Sequence, residues 1–204
     1  NISCWGNSNG IAAIDSIANG SGNYSYNWVD DNNQIISTNN SISNLSDGNY
    51  SCTILDNDWG CSIDEGVTIL EPLELTVIES TLDASCYGDS NGVALLIING
   101  GTIPYNENWN GEDQYNLQSG DHQYIVTDDN GCTFFDSVYI YQPSQLISSI
   151  STLNITNCAS DDGEIDLSVS GGSGSYSYIW SNGGTTQDLN NLSSGTYSVT
   201  ITDF

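Results

Sequence analysis

The chain has 204 residues, 26 acidic side chains, one histidine and no lysine or arginine, for a formal net charge of -26 at pH 7. A globular chain is roughly a quarter charged with both signs present, and without a cation this one cannot neutralise phosphates, cradle a nucleotide through a P-loop lysine or adhere to anionic lipid. Nucleic acid and membrane insertion are therefore excluded as partners. The charged fraction is nevertheless only 13%, against 37% hydrophobic residues with twelve tyrosines and five tryptophans, a composition that folds. The polar remainder is Ser, Asn, Thr and Gly, which suit turns and strand surfaces, so the expected fold class is all-β. Six cysteines indicate an oxidising, secreted or cell-surface setting. With no apolar run near 18 residues and no h-region, neither a membrane span nor a signal peptide is read, and the stretch is expected to be interior to a longer mature chain.

In chain order, one series of landmarks occurs three times. The first is Cys4-Trp-Gly-Asn-Ser-Asn-Gly10, Tyr24-Ser-Tyr-Asn-Trp28, Leu45-Ser-Asp-Gly48, Asp56-Asn-Asp-Trp-Gly-Cys61 and Glu71-Pro72. The second is Cys86-Tyr-Gly-Asp-Ser-Asn-Gly92, Tyr105-Asn-Glu-Asn-Trp109, Leu117-Gln-Ser-Gly120, Asp128-Asp-Asn-Gly-Cys132 and Gln142-Pro143. The third is Cys158-Ala-Ser-Asp-Asp-Gly163, Tyr176-Ser-Tyr-Ile-Trp180, Leu192-Ser-Ser-Gly195 and Asp203. The expected repeats are therefore 1–72, lacking an opening strand, 73–143, and 144–204, lacking a closing strand. The proline boundaries leave essentially no linker.

Within each repeat the pattern is one of short strands. Ile165, Leu167 and Val169 alternate with polar residues after Gly163, as do Tyr197, Val199 and Ile201 after Gly195, which is the period of a half-buried strand. Tyr24, Tyr26 and Trp28 share one strand face, as do Tyr176, Tyr178 and Trp180. Eight residues separate glycine from aspartate in Gly48 to Asp56, Gly120 to Asp128 and Gly195 to Asp203. Some seven short strands with an aromatic centre and Gly/Asn/Asp turns predict three tandem small immunoglobulin-like β-sandwiches in an extended array.

The landmark order Cys86, Gly88, Asn91-Gly92, Gly100-Gly101, Pro104-Tyr105, Trp109, Leu117, Gly120, Asp128 and Gly131-Cys132 closely resembles the SprB repeat, found in tandem in very large adhesins on gliding Bacteroidota. The third copy departs from it, with Ala-Ser-Asp-Asp-Gly where Gly and Asn-Gly are usual. The resemblance implies an extracellular, repetitive gliding-motility adhesin or surface filament exported by type IX secretion.

Six cysteines allow fifteen full pairings. The repeat order favours within-repeat bridges, Cys4 to Cys61 and Cys86 to Cys132, leaving Cys158 for a partner elsewhere and Cys52 as a buried free thiol. Trp5 and Trp59 would then cover the first bridge, with a sugar-stacking surface as the sharper alternative. His122 occupies the slot of Tyr50 and Tyr197 and, lacking ligand neighbours, makes neither a zinc site nor a triad. The recurrence of Asp56, Asp128 and Asp203 at one bend indicates carboxylates that bond turn amides rather than a glycosidase pair, so no catalytic residue is assigned and no enzyme is expected. Calcium is the one cofactor the oxygens could serve, with Asp56, Asp58, Asp128, Asp129, Asp161 and Asp162 as candidates, although none completes a dedicated loop. Ser16 and Ser137 lie in acidic-hydroxyl-aliphatic tripeptides that, through the family resemblance, imply O-glycosylation.

The expected function is a structural and adhesive segment of an extracellular bacterial surface protein. Its partners would be environmental or cell-surface glycans, neighbouring repeats, and further copies within a filament. The rival reading is a carbohydrate-binding or spacer array on a secreted polysaccharide-degrading enzyme.

Overall fold

The computed structural model describes residues 1–157 and 160–204. Among these every regular element is a strand, and the chain divides into two compact units. The first comprises Asn1–Glu79, Leu96–Asn110 and Gln123–Asp136, and the second Ser80–Leu95, Gly111–His122 and Ser137–Phe204. Residues 73–143 thus contribute to both.

In the first unit, β1 (Gly10–Ala13) pairs antiparallel with β4 (Ser41–Leu45), and a second sheet has the order β3 (Ile35–Ser37), β2 (Tyr24–Val29), β5 (Gly48–Asp56), β6 (Ser62–Ile69). Trp28 stands opposite Cys52 and Tyr26 opposite Ile54, which aligns the inward faces of β2 and β5. One core joins the two sheets: Ala12, Ile42 and Leu45 from the first meet Trp28, Cys52, Ile54 and Ile69 from the second. Two sheets over one shared core make a sandwich. Each large apolar side chain removed from water there contributes roughly 1.5–3 kcal/mol. Cys52 is fully buried and carries a free thiol, as expected, and burial raises its pKa.

From residue 73 onward, β7 (Thr76–Leu82) pairs with β8 (Val93–Asn99), and a three-stranded sheet has the order β11 (Thr133–Ile140), β10 (Gly120–Thr127), β9 (Asn106–Asn108). In the first unit Tyr124 and Val126 are fully buried, and the Tyr124 and Trp109 rings lie 5.0 Å apart. The Tyr124 hydroxyl donates to Glu79 at 2.5 Å, and burial followed by that carboxylate raises its pKa.

The second unit contains β12 (Ser144–Leu153), β13 (Gly163–Gly172), β14 (Tyr176–Trp180), β15 (Leu189–Leu192) and β16 (Val199–Asp203). Its sheets are β12-β13-β15 and β14-β16, again closed over one core, here Ile165, Leu167, Trp180, Leu189 and Leu192. The alternation read after Gly163 is present as Ile165 and Leu167 inward with Glu164 and Asp166 exposed. The fold is all-β, built of small immunoglobulin-like sandwiches.

The glycines of Asn9-Gly10, Asn91-Gly92 and Asp162-Gly163, at the start of the first inward strand, have a reason beyond turn propensity. A Cβ on Gly10 would lie 2.9 Å from the Leu45 carbonyl oxygen, on Gly92 3.0 Å from that of Leu117, and on Gly163 2.9 Å from that of Leu192. Glycine is required by close backbone approach, which links the first landmark of each repeat to the leucine of its third.

The expected within-repeat bridges are not formed. Cys4 is bonded to Cys132, 128 residues away with 5.7 Å between Cα atoms, while Cys61 and Cys86 carry free, exposed thiols. A bridge needs Cα atoms roughly 4.4–6.8 Å apart, and the chain satisfies that between the loop of Cys4 and the turn of Cys132. The bridge that Trp5 and Trp59 were expected to cover is therefore absent, and both indoles are exposed, at 51% and 64%. Cys158 lies outside the described residues.

Candidate functional site

Two recurrent structures carry the landmark residues: a loop at the start of each repeat and a turn opened by aspartate. The start loops of Cys4 and Cys86 are built alike. Ser3 N–H donates to Asn9 Oδ1 and Ser85 N–H to Asn91 Oδ1, both at 3.0 Å, and each asparagine returns a bond from Nδ2 to the serine hydroxyl. Asn7 N–H reaches the Cys4 carbonyl at 3.1 Å and Asp89 N–H that of Cys86 at 3.2 Å. Gly6 N–H donates to Glu71 and Gly88 N–H to Gln142, at 2.8 and 2.7 Å. The Glu/Gln before each boundary proline is thus an acceptor for the loop glycine.

The turns are equally regular. Asp56 accepts from Ser21 N–H at 2.8 Å, from the Ser21 hydroxyl, and from the amides of Asp58 and Trp59. Asp128 accepts from Thr102 N–H at 2.8 Å and from the amides of Asn130 and Cys132. Asp203 accepts from the Ser173 hydroxyl and amide. The Ser21 amide above all holds the Asp56 carboxyl below the usual carboxylate range, and the Ser173 hydroxyl does the same for Asp203. Carboxylates saturated by fixed donors have little capacity left for a cation or a reacting proton.

The remaining calcium candidates are spread over separate loops. Asp58 accepts from Asn23 and Asp161 from Ser193. Asp162 takes the Ser160 hydroxyl and the Thr156 hydroxyl and amide, which lower its pKa to about 2. Asp129 is exposed. Among the described residues no group of three or more His, Cys, Asp or Glu could hold a metal ion.

His122 is buried, and its Nε2 donates to the Gln118 carbonyl four residues earlier at 2.8 Å. Tyr50 makes the same i to i-4 bond to Ser46 at 3.1 Å and Tyr197 to Ser193 at 3.0 Å, so the imidazole substitutes for a phenol in a tyrosine-corner role. Ser16 and Ser137 are both exposed, with Val138 and Ile140 turned into the core. What sequence reading missed is the acceptor role of Glu71 and Gln142, the residues before the boundary prolines Pro72 and Pro143.

Residues 152–185 match the family model of the SprB repeat. This segment is a SprB repeat. Such repeats belong to cell-surface adhesins, and the landmarks of the SprB segment, from Gly163 to Trp180, are those already met twice in residues 1–143. The solved structures similar to the chain include the following two. The three N-terminal domains of the bacteriophage RB49 highly immunogenic outer capsid protein share 16% identity at a TM-score of 0.45, covering 87% of this chain and 72% of that one. The amphioxus IgVJ-C2 molecule shares 16% identity at a TM-score of 0.29, covering 66% and 97%. No curated protein has a significant sequence match to the chain. No helix among the described residues is long and apolar enough to cross a membrane.

Proposed function

We propose that the chain is a structural and adhesive segment of a large extracellular adhesin, acting as a non-catalytic SprB array that holds surface outward from the cell. The observation that carries this reading is the reuse of the same loop and turn bonds from copy to copy. The carboxylates that recur are consumed by backbone amides, so repetition multiplies scaffold. A chain with no cation and 26 acids repels its own copies over about 8–10 Å at physiological salt, which favours dispersed display. Its ligand class is cell-surface or environmental glycan, and the exposed indoles of Trp5 and Trp59 supply apolar faces on which sugar rings stack.

Antibody raised against the purified chain tests the reading. Labelling of intact cells, with adhesion reduced by the antibody, is expected. Labelling that appears only after cells are permeabilised would overturn it.

A further inference from the structure

The Cys4–Cys132 bridge joins a start-loop cysteine to a turn cysteine of the following copy of the pattern. Among the described residues the two exposed free thiols are one of each kind: Cys86 is a start-loop cysteine and Cys61 a turn cysteine. We propose that SprB repeats are stapled in register, each start-loop cysteine bonding the turn cysteine of the next repeat. Cys86 is then the half-bridge for the turn that Asp203 opens, and Cys61 the half-bridge for the start loop of a preceding repeat.

Three observations carry this beyond the presence of single thiols. The loop around Cys86 shares four bonds with the loop around Cys4: the two of the Ser-Asn pair, the amide of the glycine two residues on, and the amide that reaches the cysteine carbonyl. The turn around Cys61 reproduces that of Cys132: Asp56 N–H donates to the Cys61 carbonyl at 2.9 Å and Asp128 N–H to the Cys132 carbonyl at 3.0 Å. The third turn is already set, because Asp203 holds the Ser173 amide as Asp128 holds that of Thr102. In Asp128-Asp-Asn-Gly-Cys132 the cysteine follows the aspartate by four residues, so Asp203-Phe204 needs Asn-Gly-Cys to complete the same turn.

The bond forms by thiol–disulfide exchange with a small-molecule disulfide such as oxidised glutathione. The Cys86 thiolate attacks one sulfur and expels one glutathione thiolate. The turn cysteine then attacks the mixed disulfide and expels the second. The two protons lost by the protein thiols are taken up by the released glutathione, and the two electrons reduce its disulfide.

The test is the full chain extended after Phe204 by Asn-Gly-Cys, refolded in a glutathione redox buffer and mapped without reduction, using a protease that cuts at acidic or aromatic residues because trypsin has no site. The expected result is two bridges, Cys4–Cys132 and Cys86 to the added cysteine, with Cys61 and Cys158, whose partners belong to other repeats, labelled by a thiol reagent and the buried Cys52 labelled only after unfolding. The same extension carrying Cys61→Ser excludes scrambling through Cys61 and should give the same two bridges. A chain that forms Cys4–Cys132 but leaves Cys86 and the added cysteine labelled overturns the proposal. So does a map showing Cys4–Cys61 with Cys86–Cys132, or Cys61–Cys86. The proposal deepens the extracellular-array reading, and since the map reports sulfur connectivity, its failure would leave the cell-labelling result untouched.

Discussion

The Nδ1 of His122 lies 2.9 Å from Glu112 Oε2, while Nε2 of the same ring lies 2.8 Å from the Gln118 carbonyl oxygen. A carbonyl and a carboxylate are both acceptors, so the ring meets both only when each nitrogen carries hydrogen. Burial opposes the charge on His122, but the Glu112 hydrogen bond, the Gln118 carbonyl and the charges of Glu112 and Asp121 outweigh it, and its pKa is raised. A group with a raised folded pKa contributes stability that is complete below its unfolded value near 6.5 and is lost as pH rises through the folded value. The melting temperature should fall across that window. His122→Tyr, which restores the residue found in the other two corners, should remove the dependence, whereas His122→Ala should cost about 1–3 kcal/mol at pH 6. Thermal melts from pH 5.5 to 9 measure all three.

The acid limb has the opposite sign. Asp56, Asp162 and Asp203 have lowered pKa values in the folded chain, so their stabilisation is present above the unfolded value and is lost as pH falls through the folded one. Asp162, at about 2, should protonate late. Asp56→Asn should lower the melting temperature at pH 7 and flatten its decline in acid, read by circular dichroism between pH 5 and 2. An unchanged acid slope would mean that the turn bonds do not govern it.

Ala substitutions at Gly10, Gly92 and Gly163 should each cost about 1–3 kcal/mol, the range for forcing extra atoms into a packed site, because each Cβ would press on a leucine carbonyl. Gly66 is the control: its Cβ would meet nothing nearer than the Tyr50 carbonyl oxygen at 4.0 Å. Gly66→Ala should be neutral to stabilising in chemical denaturation.

The three repeated tryptophans are not equal. Trp28 Nε1 donates to the Asn39 carbonyl at 3.0 Å and Trp180 Nε1 to that of Thr186 at 2.9 Å, whereas the buried Trp109 Nε1 has no partner among the described residues. Replacement by Phe should therefore be cheaper at Trp109 than at Trp28 or Trp180, by about 1–3 kcal/mol, the penalty of leaving a buried polar group unmatched. Equal losses in urea denaturation at all three positions would contradict this.

The residue order alone determined the strand periodicity, the aromatic centre, the aspartate turn and the shared slot of Tyr50, His122 and Tyr197. These depend on contacts within a few residues or on strand alternation, and both are written directly into spacing. The acceptor pair Glu71 and Gln142 and the crowding at Gly10, Gly92 and Gly163 were not legible, because each depends on a backbone group tens of residues away. The cysteines show the limit most plainly. Six cysteines offered many pairings, and the repeat order favoured bridges within a repeat, which are not the ones formed. Only the tertiary structure decided that Cys4 meets Cys132, because a disulfide forms where two Cα atoms come within bonding range, and which loops come that close is set by the packing of whole sheets.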